Sequence, residues 1–233
     1  MTNKGLVAVP AFNEALNIRA VILDILKNTK KLNCDLLIIN DCSTDNTADI
    51  LKDLGCIFIS HDKNLGPGGA FKTALNYAHK NKYDFLATMD GDGQHSAKDL
   101  YTLIQNYRNT NSNLVIGSRF LNTTSTIPVS RKFSNHLINL VFKHKHKIDV
   151  TDSQSGMRVM GESAYQLLGS VSNGHQYCSD IIYLANLNNL TIEEVPISVK
   201  YSSETIKNGQ SAISGLRVLA RCFKLSKIYP KSE

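Results

Sequence analysis

The residues with the most chemical promise are Asp90-Gly91-Asp92-Gly93-Gln94-His95, which follow the apolar run Phe85-Leu86-Ala87-Thr88-Met89. A short unbroken apolar run reads as a buried parallel strand. Two carboxylates one residue apart then leave the strand end together, with glycine between and after them. Oxygen ligands suit a hard divalent cation, Mg²⁺ or Mn²⁺, and such an ion keeps positions open for phosphate oxygens. An Asp-x-Asp at the carboxyl end of a strand therefore points to metal-bridged diphosphate binding. Asp-Gly-Asp-Gly is also good turn chemistry, and the motif alone does not separate the two readings.

The elements that must position these residues come in a regular series. Leu6-Val7-Ala8-Val9, Asp35-Leu36-Leu37-Ile38-Ile39, Cys56-Ile57-Phe58-Ile59 and Leu114-Val115-Ile116-Gly117 are further strand-like runs. Residues 14–27 carry Ile18, Val21, Ile22, Ile25 and Leu26 at helical spacing. Ser43 or Thr44 is placed to cap a helix that runs through Leu54 and stops at Gly55. Further helices are expected over 70–80, from Ser96-x-x-Asp99 onward, over 131–142, over 177–187 and over 211–228. Residues 122–130 read as a loop, and a last strand over 192–199 contains Pro196, which suits an edge or a bulge. Repeated β-α units predict an α/β fold: a mostly parallel central sheet with helices on both faces and a Rossmann-like nucleotide-binding half. Ligands of such sheets bind outside the carboxyl ends of the strands. Asn13-Glu14, Asn40-Asp41 and Asp90-x-Asp92 all fall at such ends.

Composition narrows the class. A chain of 233 residues with 42% apolar and 20% charged residues has the make-up of a soluble globular enzyme. No stretch approaches the apolar length of a transmembrane helix, and the opening residues do not read as a signal peptide. Five cysteines at 34, 42, 56, 178 and 222 show no metal or disulfide spacing, which predicts reduced thiols and a cytoplasmic protein. The net charge of +6 fits an anionic partner, but no zinc-finger or aromatic-basic pattern supports nucleic acid.

The motifs, in order, resemble those of family 2 glycosyltransferases, most closely the dolichyl- or polyprenyl-phosphate sugar transferases. The segments that carry the resemblance are Val9-Pro10-Ala11-Phe12-Asn13-Glu14, Ile38-Ile39-Asn40-Asp41-Cys42-Ser43-Thr44-Asp45, Asn64-x-Gly66-x-x-Gly69-Ala70 and Asp90-Gly91-Asp92-Gly93-Gln94-His95. Gly117-Ser118-Arg119-Phe120, Ser130-Arg131 with Asn135, Asp152-x-x-Ser155-Gly156-x-Arg158 and Glu194-Val195-Pro196-Ile197 continue the series to about residue 200. The resemblance implies a single GT-A domain over 1–233, with a nucleotide-sugar half at 1–120, an acceptor half at 121–210 and a basic C-terminal helix at 211–233.

It also implies a nucleoside-diphosphate sugar donor, a lipid-phosphate acceptor and Mg²⁺ or Mn²⁺. Pro10, Phe12, Glu14, Ile39 and Asp41 would form the nucleoside pocket, and Asp90, Asp92 and Gln94 the metal and diphosphate site. Arg119, Arg131 and Ser134 would cradle the acceptor phosphate. Two departures stand out. The first of the family's two adjacent acids after strand two is Asn40, and the stretch after the Val-Pro-Ile strand leaves Lys207 as a loose replacement for the family's basic residues. The resemblance leaves room for a peripheral contact at the cytosolic membrane face and for a membrane-protein partner subunit.

The chemistry implied is inverting displacement at an anomeric carbon, with a metal held by Asp92, and Asp90 in support, neutralising the leaving group. A phosphate acceptor is already ionised and needs orientation by arginine. A saccharide hydroxyl would need a base, for which Asp180 is the candidate; the same residue also reads as an exposed acid on an amphipathic helix. A non-catalytic nucleotide-sugar-binding subunit is the third reading.

Several residues carry two readings each. His95 reads as a phosphate contact or a surface-loop residue, and Arg158 as functional or as the salt-bridge mate of Asp152. The Gly-rich stretch 64–69 lacks the pattern of a P-loop and reads as a turn that lets backbone pass near the donor. Arg217, Arg221 and Lys224 form one stripe, which suits a membrane-surface helix or a helix packed on the domain with a solvated basic edge.

Overall fold

Successive strand residues point to opposite faces, and in the central strands both sets are apolar. β1 (Gly5–Ala11) sends Leu6 and Ala8 into one cluster and Val7 and Val9 into another, all of them at most 1% exposed. Only helices on both sides bury such a strand. α1 (Ile18–Thr29) and α4 (Ala97–Asn109) cover one face. α3 (Pro67–Lys80), α5 (Val129–Val141), α7 (Tyr177–Leu187) and α8 (Ala212–Cys222) cover the other. The computed structural model describes residues 4–121, 127–201 and 212–230.

The remaining strands are β2 (Cys34–Asn40), β3 (Phe58–Ser60), β4 (Phe85–Thr88), β5 (Leu114–Ser118), β6 (Arg158–Gly161) and β7 (Ile192–Pro196). They form one sheet of seven strands in the order β3-β2-β1-β4-β6-β5-β7. All pairings are parallel except those of β6, which runs against both neighbours. The expected α/β fold with a mostly parallel sheet is therefore present. From β1 the strand order runs outward both ways, to β2 and to β4. The crevice between β1 and β4 is a switch point of the kind that receives ligands.

β6 is a strand the sequence pattern did not reveal. Its direction matters: because it is antiparallel, it begins at the edge where β1 and β4 end. That brings Gly156 beside the Asp90 loop, with Thr88 Oγ1 donating to Gly156 O at 2.8 Å. A Cβ on Gly156 would stand 2.5 Å from Asp90 Oδ2, so a side chain there would displace the Asp90 carboxylate.

Smaller differences have local causes. α2 (Thr47–Asp53) starts later than a Ser43 or Thr44 cap would place it. Those residues are engaged elsewhere: Asn13 N donates to Ser43 Oγ at 3.0 Å and Thr44 N to Asn13 Oδ1 at 2.8 Å. Asp45 instead accepts from Thr47 N at 3.0 Å. Pro196 ends β7, which lies at the sheet edge as expected. One side of the Gly-rich turn is packed against another stretch of backbone. Gly68 N and Gly69 N donate to Asn173 O at 2.6 and 3.2 Å, and a Cβ on Gly68 would lie 1.9 Å from Ser172 O.

The C-terminal basic stripe is split. Arg217 and Lys224 face solvent, but Arg221 turns inward to Asp180 at 2.7 Å, while Val218 and Cys222 are buried. α9 (Leu225–Ile228) follows α8. After α5, a π-helical turn over Phe142–His146 carries part of the basic run Lys143-His144-Lys145-His146-Lys147. Lys145 Nζ donates to the carbonyl of Phe223 at 2.7 Å, where a cation complements a helix C-terminus, and His146 Nε2 lies 2.8 Å from the carbonyl of Cys222. Residues 122–126 of the expected loop and Lys207 lie outside the described residues.

Candidate active site

A cavity of about 620 Å³ opens at the carboxyl ends of β1 and β4. Of the residues singled out in the sequence, Pro10, Phe12, Glu14, Asp41, Asp90, Asp92, Gln94, Arg119, Arg131 and Ser134 all line it. Chain order does not bring these together; the parallel sheet does, by delivering each strand's following loop to one edge.

The cavity floor is acidic. Burial pushes the Asp90 carboxyl above its ordinary range despite nearby Arg119. Asp92 is raised by burial and then by the charge of Asp90. Glu14, raised by burial, also feels both. His95 supplies no offsetting charge. Its Nε2 is 3.8 Å from Asp90 Oδ2, but burial pushes the imidazole down to about 4, so the ring is neutral near pH 7. The His95 side chain is buried, with Nδ1 lacking a hydrogen-bond partner, and it is therefore not a surface-loop residue.

An oxygen-only donor set of two crowded carboxylates fits a hard divalent cation. Among the described residues, no three His, Cys, Asp or Glu side chains are grouped to hold a metal alone. A cation at Asp90 and Asp92 would take its other ligands from substrate and water. Gln94, expected in the metal and diphosphate site, stands beside Asp92. Its backbone N donates to Asp92 Oδ1 at 3.0 Å and its Nε2 donates to Asp92 Oδ2, so it orients Asp92. Gln94 Oε1 faces Arg131 Nη1 at 3.5 Å.

At the other end of the cavity, Phe12 is 46% exposed and offers an aromatic face, with Pro10 beside it on β1. Ile39 does not join them. It is fully buried in the core under α3 and is absent from the cavity wall, because its side chain points down from the sheet. Asp41 is present but already engaged. Its carboxylate accepts from His61 Nδ1 at 2.7 Å, Leu65 N at 2.8 Å and Gly66 N at 2.8 Å. It thereby anchors the Gly-rich turn, a role hidden in the sequence. Asp41→Ala strands two backbone donors and a buried imidazole, and the expected loss of stability is about 2–3 kcal/mol in urea denaturation. A loss within error of zero would remove this anchoring role.

The third wall carries the arginines. Arg119 is committed to Asp152: its Nε and Nη2 donate to the two carboxylate oxygens at 2.7 and 2.8 Å, and its backbone N also donates at 3.1 Å. Burial alone would lower this guanidinium's pKa, but Asp152 more than reverses that and holds it charged. Nη1 donates to the Tyr201 hydroxyl at 3.4 Å, and Arg119 lines the cavity. Asp152 is thus the mate of Arg119 and not of Arg158, which is buried and donates to the carbonyls of Cys178 and Ser153 at 3.1 and 3.3 Å. Glu194 braces the pair by accepting from Asp152 N at 2.9 Å and Thr151 N at 2.7 Å. Arg131, on α5, lies over the Tyr201 ring at 5.0 Å.

Asp180 corrects the expectation of a base, and it is not an exposed acid either. It is fully buried, lies off the cavity wall, and accepts from Arg221 Nε and Ser172 N at 2.7 Å each. It ties α8 to the loop that faces the Gly-rich turn. Conversely, Gln154, His175 and Tyr177 line the cavity without having been singled out. His175 lies in the loop before α7 and Tyr177 is the first residue of α7, where spacing carries no signal of what they face.

A mostly parallel α/β sheet with an acidic strand-end loop defines a broad class, and comparison narrows it. Residues 6–168 match Glycosyl transferase family 2, and the chain belongs to that family. It is 31% identical over 239 residues to the UDP-N-acetylglucosamine–dolichyl-phosphate N-acetylglucosaminyltransferase of Methanococcus voltae, covering 93% of this chain and 94% of that one. It is 23% identical over 237 residues to the polyprenol monophosphomannose synthase of Mycolicibacterium smegmatis, covering 97% and 87%. Its fold matches glucosyl-3-phosphoglycerate synthase from Mycobacterium tuberculosis, crystallised with Mn²⁺, UDP and glucosyl-3-phosphoglycerate, with a TM-score of 0.69 at 18% identity over 94% of this chain and 80% of that one. The fold is GT-A, and the protein is a glycosyltransferase.

Proposed function

We propose that this enzyme moves a sugar, with inversion, from a nucleoside-diphosphate sugar to a polyprenyl phosphate. The observation that carries the acceptor is the rim of the cavity. Val129 and Phe133 on α5 and Leu216 on α8 are 82, 63 and 67% exposed, beside the lining residues Ser130, Arg131, Ser134 and Gly215. Single exposed apolar residues are ordinary, but three around one polar mouth suit an acceptor with a charged head and a hydrocarbon tail. Exposed Lys132 and Arg217 beside them suit an anionic membrane surface. Among the described residues no helix is long and apolar enough to cross a membrane, so this contact is read as peripheral. The names of the relatives above agree with a lipid-phosphate acceptor.

In this reading Phe12 and Pro10 hold the nucleoside and Arg131 with Ser134 orients the acceptor phosphate. An acceptor oxygen attacks the anomeric carbon from the face opposite the diphosphate, and the carbon–oxygen bond to the diphosphate breaks. The phosphate is ionised near pH 7, so no side chain has to remove a proton. Asp90 and Asp92 would hold a divalent cation, which when bound offsets the charge gathering on the leaving diphosphate. Gln94 keeps Asp92 oriented toward that position. Asp180, the base that a hydroxyl acceptor called for, is locked in its ion pair with Arg221.

The test is transfer of labelled sugar from UDP- and GDP-sugars to a short-chain polyprenyl phosphate in detergent with Mn²⁺. Wild type is expected to give an organic-extractable product. Arg131→Ala should lose at least ~30-fold in rate with donor affinity nearly unchanged, as expected for a charge-assisted contact of about 2–3 kcal/mol. Transfer only to water-soluble saccharides, or an indifferent Arg131 variant, would overturn the acceptor.

A further inference from the structure

The three donors on Asp41 are unevenly placed. Among the described residues Oδ1 takes two, His61 Nδ1 at 2.7 Å and Leu65 N at 2.8 Å, whereas Oδ2 takes one, Gly66 N at 2.8 Å. A carboxylate offers about two lone-pair directions per oxygen, so Oδ1 is filled and a single acceptor direction remains on Oδ2. The arrangement is stiff. The His61 side chain is 9% exposed, and its Nε2 lies 2.8 Å from Thr73 Oγ1 on α3. Because an ionised carboxylate only accepts, the Nδ1 facing it carries the proton. Asp41 lines the same cavity as Pro10 and Phe12, at the end read above as the nucleoside pocket.

Bases differ in how many donors they show such a group. The Watson–Crick edge of guanine presents two adjacent donors, N1–H and N2–H, which pair with both oxygens of a carboxylate. Uracil presents one, N3–H, between two carbonyls. Cytosine and adenine present a ring nitrogen lone pair beside an amine, and that lone pair repels a carboxylate. We propose that His61 is a specificity-determining residue: by filling Oδ1 of Asp41 it leaves one acceptor, and the pocket therefore selects a uridine-type nucleotide over guanosine. This rests on the reading that the cavity takes a nucleoside-diphosphate sugar.

Titration calorimetry with UDP, GDP, CDP and ADP in the presence of Mn²⁺ tests it. UDP should bind wild type at least ~10-fold more tightly than GDP, with CDP and ADP weaker still. His61→Ala frees the second direction on Oδ1, and the UDP-to-GDP preference should shrink several-fold. His61→Asn, whose amide N–H can stand in for Nδ1–H, should keep it. The ratio is the informative quantity, since a merely loosened pocket weakens both nucleotides together. Equal or tighter binding of GDP to wild type overturns the base assignment and leaves the transferase reading standing; failure of wild type to bind any of the four overturns both. A folded His61→Ala with the wild-type ratio removes His61 from the assignment. So does His61→Asn that binds UDP but has lost the preference, and this arm decides if His61→Ala does not fold.

Discussion

Asp92→Asn is expected to abolish sugar transfer while leaving the protein at least as stable as wild type. The carboxylate sits in a crowded acidic floor, where burial and then the charge of Asp90 raise its pKa. A raised carboxyl pKa means that the folded protein disfavours the ionised form, so above the ordinary carboxylate range Asp92 costs stability when no cation is present. Asn removes that cost and still offers an oxygen to Gln94 N, which Asp92 Oδ1 accepts at 3.0 Å. The unfolding midpoint of the metal-free variant should therefore equal or exceed that of wild type. Its activity should fall by at least ~3 kcal/mol of transition-state stabilisation, more than 10²-fold, the loss typical of one essential electrostatic partner. The stabilisation that Mn²⁺ confers on wild type by binding only the folded state should vanish with it. A folded variant that retains Mn²⁺ stabilisation and turnover would remove Asp92 from the metal site.

Asp152→Ala should have the opposite profile, with the largest loss of stability of any single change in the site. Asp152 is fully buried and accepts from Arg119 Nε, Nη2 and N at 2.7, 2.8 and 3.1 Å. Removing it leaves a guanidinium in a low-dielectric site without its counter-charge. Breaking one side of a buried pair typically costs about 3–5 kcal/mol, mostly from the stranded charge. For a chain of this size that is a fall of roughly 10 °C in Tm. Denaturant unfolding measures it directly, and a cost below about 1 kcal/mol would show that Arg119 finds another partner. If Arg119 were chiefly an acceptor contact, as its motif implied, the variant would lose activity with little loss of stability.

The α/β pattern was legible because its carriers are local. Buried parallel strands must be apolar throughout, and Leu6-Val7-Ala8-Val9 and Phe85-Leu86-Ala87-Thr88 are such runs. The strand ends then had to supply the polar edge, so Glu14, Asp41, Asp90 and Asp92 were found as lining residues before any contact was known. β6 was missed because four residues around a buried arginine carry too little pattern, and its antiparallel direction follows from its neighbours β4 and β5.

What each side chain does inside the site was a tertiary matter. Asp152 and Arg119 lie far apart in sequence, as do Asp180 and Arg221, and so do Asp41 and His61. Residue type announces that a carboxylate needs a partner when buried; it does not say which cation or N–H will be folded against it. By itself the sequence determined the layered fold, the family and the acidic edge, because periodicity and short motifs are local physics. Only the packed structure decided that Asp180 and Arg119 are held in ion pairs, that Ile39 faces the core, and that Asp41 is tied to His61 and the Gly-rich turn. Those outcomes depend on which surfaces meet when the sheet closes.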